Sequence, residues 1–155
     1  MNEFERFVAQ FTHEIIPVIK VGRNCYLVND AVAQFKDKIH RDVFALGVFL
    51  GEEKNYFIPS PALIDIIAKK TDSEQHKLFI NKKAEWLFLC GKNIFDESVL
   101  RPQMPQEGSL VLVQNELDEN LGYGLIKKED RWIIKNLLDK GYYLRVDDKK
   151  GHKKR

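Results

Sequence analysis

LVLVQNELDENLGYGLIKKEDRWIIKNLLDKGYYLRV, residues 110–146, decides how the second half of this chain folds. Its apolar runs, 109–113, 121–126, 132–138 and 142–146, are short and separated by turn-forming residues such as Asp118-Glu119-Asn120 and Gly141. Runs of this length with this punctuation predict strands joined by turns, and several in succession predict a small β-barrel or sandwich. Gly122 and Gly124 allow strands to pack closely. In Trp132-Ile133-Ile134 and Tyr142-Tyr143-Leu144, strand alternation buries one face and leaves at most one of Tyr142 and Tyr143 free.

Working toward the N-terminus, a short strand over 77–80 precedes a helix over 82–90, stopped by Gly91, the residue that best takes a left-handed conformation at a helix end. This helix is expected to fold against the barrel. Residues 69–75, Lys-Lys-Thr-Asp-Ser-Glu-Gln, are polar throughout and mark a domain boundary, giving domains over 1–75 and 76–155. The first half carries its own periodicity. Phe4, Phe7, Val8, Phe11 and Ile15 recur at helical spacing before Pro17 and predict an amphipathic helix over 2–16. Residues 18–21 and 25–28 form a hairpin about Gly22-Arg23-Asn24, and Asn29-Asp30 caps a short helix through Phe35. A buried apolar run over 43–50 and a strand over 56–58 follow, flanking a turn at 51–55. Ser60-Pro61 then starts a helix with Leu63, Ile64, Ile67 and Ala68 on one face.

The chain has 155 residues, 44% of them hydrophobic, which suffices for packed cores in two small domains. Cys25 and Cys90 stand far apart without a CxxC or clustered histidines, so neither a disulfide framework nor a zinc site is expected. Glu3, Glu5 and Arg6 argue against an ordinary secretory signal, and no apolar run reaches the ~20 residues of a membrane span. The net charge of +2 is divided unevenly. Residues 1–75 hold 9 Lys/Arg against 11 Asp/Glu, and residues 76–155 hold 16 against 12. Arg145, Lys149, Lys150, Lys153, Lys154 and Arg155, opposed by Asp147 and Asp148, make the last eleven residues +4. Such an end is either a solubilising terminus or a polyanion contact.

No converging catalytic set is legible. His40-Arg41-Asp42 resembles the start of a kinase catalytic loop, but Gly47 stands where the metal-binding Asn would be needed. Gly122-Tyr123-Gly124 lacks the third glycine of a dinucleotide cradle, and Gly47 to Gly51 lies in too short a run for a membrane GxxxG. The acidic pairs Glu52-Glu53, Asp118-Glu119, Glu129-Asp130 and Asp147-Asp148 fall in turns or ends. His13 and His76 have no partner at ligand or nucleophile spacing. The second half instead mixes basic residues with Trp86, Trp132, Tyr142 and Tyr143, a combination suited to single-stranded RNA.

This half resembles a PUA domain, the RNA-binding module named after pseudouridine synthases and archaeosine transglycosylases. The resemblance is carried by Ala84-Glu85 and Gly91, by Glu107-Gly108 leading into Leu110-Val111-Leu112-Val113, by Leu121-Gly122-Tyr123-Gly124, and by Asp139-Lys140-Gly141-Tyr142-Tyr143-Leu144-Arg145. Cys25-Tyr26-Leu27-Val28, Leu46-Gly47 with Gly51, and Phe57-Ile58 before Pro61 resemble the N-terminal domain of one PUA family, the Nip-seven family of large-subunit ribosome biogenesis factors of archaea and eukaryotes. The implied architecture is α+β, a small α/β N-terminal domain followed by a PUA-type β-barrel.

The implied function is non-catalytic and cofactor-free binding of U-rich or precursor ribosomal RNA through the PUA domain. The N-terminal domain would contact pre-ribosomal or RNA-processing proteins. The compact length implies an archaeal, cytoplasmic protein, expected to be a monomer. An accessory subunit that recruits an RNA-modifying enzyme is the alternative. The expected RNA contacts are Arg145, read as closing the final strand, with Tyr143, Lys149, Lys150, Lys153 and Lys154. Lys82 and Lys83 extend them where the family often has Pro-Gly, and Val146 with Asp147-Asp148 stands where some relatives have a second basic residue.

Overall fold

The structure, a computed structural model, describes residues 1–39, 46–71, 74–101 and 104–151, without the side chains of residues 37 and 147–151. The chain divides into two compact units, Met1–Lys70 and Thr71–Arg155. The boundary falls at the start of the polar stretch, because Lys69 and Lys70 are the last turn of a helix and Thr71 is buried.

In the first unit, helix α1 (Glu3–Val8) begins at a reciprocal cap in which the Asn2 side chain accepts from Glu5 N–H and the Glu5 carboxylate accepts from Asn2 N–H. It is much shorter than the expected 2–16. Beyond its end, Thr12 Oγ1 accepts from Glu14 N–H at 3.1 Å in a local turn; Phe11 is buried and Ile15 is exposed. Strands β1 (Ile19–Val21), β2 (Asn24–Leu27), β3 (Val48–Glu53) and β4 (Phe57–Pro59) form an antiparallel sheet in sequence order. Helix α2 (Asp30–Lys38) starts where Asn29 caps Val32 N–H at 2.9 Å.

The run over 43–50 is not the buried strand expected. Residues 40–45, with His40-Arg41-Asp42, lie outside the described residues, and Val48 and Phe49 are exposed. The strand continues through Gly51 to Glu53 instead of turning there. Helix α3 (Pro61–Lys70) begins as its sequence predicts: Ser60 Oγ accepts from Leu63 N–H, and Leu63, Ile64, Ile67 and Ala68 are buried. Phe4 meets Phe57 edge-on at 5.4 Å, completing the small core.

The second unit is built on a six-stranded sheet ordered β6 (Ile94–Phe95), β10 (Trp132–Asp139), β9 (Asn120–Lys128), β8 (Leu110–Gln114), β5 (Lys77–Ile80), β7 (Val99–Arg101). Its two edge strands, β6 and β7, are joined by a single 3-10 turn, Asp96–Ser98. So short a link between opposite edges requires the sheet to curl, and it forms a nearly closed barrel. These edge strands, of two and three residues, were not anticipated from the sequence. Helix α4 (Lys82–Leu89), capped by Asn81, sets Ala84 and Phe88 onto Leu78, Ile80, Val111, Ile126 and Ile134. Gly122, at φ +149, lies so close to β10 that a Cβ would collide with the Leu138 carbonyl oxygen.

Residues 142–146 are a helix and not the expected closing strand: α5 spans Tyr142–Gly151. The Tyr-Tyr-Leu cluster has strand propensity, but Gly141 ends the sheet and Arg145 N–H bonds back to Gly141 carbonyl at 3.2 Å, the first turn of a helix. Without a strand there is no alternation, and Tyr142 and Tyr143 are both about half exposed, their rings edge-on at 5.5 Å.

In the first unit the Glu53 carboxylate receives Lys20 Nζ at 2.8 Å and Phe4 N–H at 3.2 Å, tying α1 to the sheet. The lysine hydrogen bond holds the Glu53 pKa below the ordinary carboxylate range. A depressed carboxyl pKa stabilises the fold above its unfolded value and loses that contribution as pH falls through the folded value. Glu53→Gln should therefore destabilise the protein at neutral pH, and the difference from wild type should shrink as pH falls below the ordinary carboxylate range, as read by urea denaturation at a series of pH values.

Candidate nucleic-acid interface

The end of α4 and the start of α5 are joined by one side chain. Helix α4 closes in a Schellman arrangement: Lys92 N–H bonds to Leu87 carbonyl at 3.1 Å and Gly91 N–H to Phe88 carbonyl at 2.8 Å, with Gly91 at φ +80. Phe88 carbonyl also accepts from Asn136 Nδ2 at 2.8 Å. Leu89 carbonyl takes its bond from Arg145 Nη1. The same guanidinium grips Asp139 bidentately, Nη1 to Oδ1 and Nη2 to Oδ2 at 2.8 Å each. Asp139 is only 2% exposed, whereas Arg145 remains about a third open. The hydrogen bond to the Asp139 carboxylate pushes the guanidinium pKa further up.

Two glycines make room for this clamp. A Cβ at Gly141 would collide with Leu89 carbonyl and stand 2.8 Å from Arg145 Nη1, and one at Gly91 would stand 2.9 Å from Nη2. Arg145 therefore does not stand on a strand with its fork facing outward. It lies in α5, with the guanidinium bonded to its own domain.

The other expected contacts are placed as follows. Lys82 and Lys83 occupy the exposed first turn of α4, and Tyr143 the exposed first turn of α5. Lys149 and Lys150 belong to α5, their side chains outside the described residues, and Lys153 and Lys154 lie beyond them altogether. Sequence reasoning named Trp86 among the aromatics suited to RNA but left it out of the expected contacts; it is 67% exposed on the face of α4 opposite Ala84 and Phe88. The signal was present: positions 84 and 88 share a helical face, and 86 is about 200° from 84.

The polar residues at the β8–β9 turn serve the fold. Asn115 Oδ1 accepts from Leu117 and Glu119 N–H at 2.9 Å each, and its amide donates to Glu119 at 2.6 Å and Glu85 at 3.3 Å. Lys77 stands 3.6 Å from Asp118, which holds a positive φ of 59° in that turn. Among the described residues, no cluster of three or more His, Cys, Asp or Glu is placed to hold a metal ion.

A nearly closed barrel-like sheet with α4 packed on its core, a glycine-bearing β9 and a final Asp139 to Arg145 segment define the class: the fold is α+β with a PUA-type domain. Residues 76–148 match the family model described as UPF0113 PUA domain. The chain is similar to a UPF0113 protein of Archaeoglobus fulgidus, 35% identical over 82 residues that cover 47% of each chain, so the match spans about half the length of that relative. A solved structure, described as that of a conserved PUA domain protein from Thermoplasma acidophilum, superposes with TM-score 0.57 at 11% identity, covering 94% of this chain and 96% of that one. At that identity the likeness shows the fold alone.

Removing Arg145 would leave the buried Asp139 carboxylate and the Leu89 carbonyl unpaired. Breaking a buried ion pair costs about 3–5 kcal/mol, reduced here because the arginine is partly open to water. Arg145→Ala should lower the unfolding free energy by about 2–3 kcal/mol in chemical denaturation. Arg145→Lys should recover only part of it, since an ammonium cannot make the bidentate pair.

Proposed function

We propose that this protein binds RNA through residues 71–155 without catalysing a reaction, and that it acts on precursor ribosomal RNA during assembly of the large ribosomal subunit. The observation that carries the reading is the match of residues 76–148 to a PUA domain, an RNA-binding fold, in the half of the chain that holds the positive charge. Phosphate neutralisation by lysine and arginine supplies most non-specific nucleic-acid affinity, and single strands add stacking on exposed rings. Tyr142 and Tyr143, both half exposed at the start of α5, are suited to that second role. The assignment to ribosome assembly draws on the resemblance of the first half to the Nip-seven family. In it, the mildly acidic first unit meets a pre-ribosomal or RNA-processing protein and the protein works in the cytoplasm.

Because the Arg145 guanidinium is bonded within its domain, the phosphate-binding role at the C-terminal end falls mainly to Lys149, Lys150, Lys153 and Lys154. Replacing all four with Ala should weaken binding of a U-rich oligonucleotide and reduce the slope of log affinity against log salt by up to about 0.7 per lost single-strand contact. Filter binding across a salt series measures both. Crosslinking in cells followed by RNA sequencing should recover precursor ribosomal RNA. Recovery of tRNA alone would instead favour a subunit that delivers an RNA-modifying enzyme. Methyltransferase, nuclease and pseudouridine assays on bulk RNA should be blank, and turnover abolished by a single substitution would overturn the non-catalytic reading.

A further inference from the structure

Lys82, Lys83 and Trp86 form an outward face of α4 that nothing in the fold of the domain accounts for. We propose that this face docks single-stranded RNA, the Trp86 indole stacking on one unpaired base while Lys82 and Lys83 hold the adjoining phosphates. The proposal rests on the reading of the second unit as RNA-binding and assigns that activity a surface.

The three side chains are neighbours by helical geometry, since Lys82 and Lys83 lie four and three positions before Trp86. All are exposed, and the opposite face of α4, Ala84 and Phe88, does the packing. Tryptophan carries the largest apolar surface of any residue and is on average well buried. Trp86 nevertheless stands 67% exposed, with no ring or cation partner among the described residues. Trp132, by comparison, is half buried with Lys128 Nζ 5.2 Å from its ring.

The lysines add charge beside it. Neither Lys82 nor Lys83 has an ion-pair partner among the described residues, a condition shared by Lys92 and Lys127, but these two stand one turn before the open Trp86. Both occupy the first turn, where positive charge opposes the helix dipole and weakens the helix. The one carboxylate on that turn, Glu85, reaches to the Asn115 amide at 3.3 Å.

These properties select the occupant. Two unpaired ammonium groups call for a polyanion, and an open indole calls for a flat π-face. An acidic peptide would satisfy the lysines and leave the ring uncovered. Duplex RNA keeps its bases stacked on one another, so only an unpaired strand offers both groups together.

The test is titration with oligouridylate, following binding by filter retention and by the fluorescence of Trp86 in a Trp132→Phe background, where it is the sole tryptophan. Trp86 fluorescence should be quenched with the same midpoint as filter binding. Trp86→Ala should weaken binding roughly 5- to 150-fold, the range of one stacked base, while Trp86→Phe keeps most of the affinity. Lys82→Ala with Lys83→Ala should flatten the salt dependence by up to about 0.7 per lysine. Because the three side chains point outward and the two lysines oppose the helix dipole, no variant should melt below wild type, which separates lost binding from lost fold. Wild-type affinity in Trp86→Ala with unquenched Trp86 would overturn the proposed surface and leave RNA binding by the domain standing. Failure of the wild-type protein to bind the oligonucleotide, or any single-stranded RNA, would overturn both.

Discussion

Arg145 reaches from α5 to two acceptors: the buried Asp139 carboxylate at the end of β10 and the Leu89 carbonyl at the end of α4. Sheet, helix and C-terminal helix thus converge on one guanidinium. A carboxylate as buried as Asp139 is tolerated only with a fixed counter-charge, and a planar fork is the side chain that meets both oxygens at once. The need propagates through the domain. Gly141 and Gly91 must lack side chains for the fork to enter, and Gly91 must hold a left-handed backbone to close α4.

Fixing the end of α4 also fixes what its beginning displays. Ala84 and Phe88 are locked against the barrel, so Lys82, Lys83 and Trp86 are held outward. Arg145 is thus engaged within its own domain, while Lys82 and Lys83 stand exposed on the first turn of α4.

Much of this was legible from residues alone. Ser60-Pro61, Asn29-Asp30 and Gly91 announced helix ends through capping and left-handed geometry that depend on a few local atoms. The strands over 110–138 followed from apolar runs between turns. Other expectations failed. Helix α1 ends at Val8 although its apolar spacing runs on to Ile15, and strand propensity at Tyr142-Tyr143 yielded to the Gly141 break and the Arg145 clamp. Asp139, Gly141 and Arg145 could be recognised as a motif, but not that the arginine faces inward, because its acceptor on α4 lies 56 residues away. Trp86 was named among the aromatics of this half, but its exposure was not legible, because an aromatic in an apolar stretch looks like core until the buried face of α4 is known.

A double-mutant cycle on Asp139→Asn and Arg145→Met, with stability measured by chemical denaturation of the full chain, tests this account at its centre. If the two residues form the clamp, the double variant will be far less destabilised than the sum of the singles, with a coupling of about 1–3 kcal/mol. Additivity within about 0.5 kcal/mol would show that the pair is not what holds α5 to the barrel.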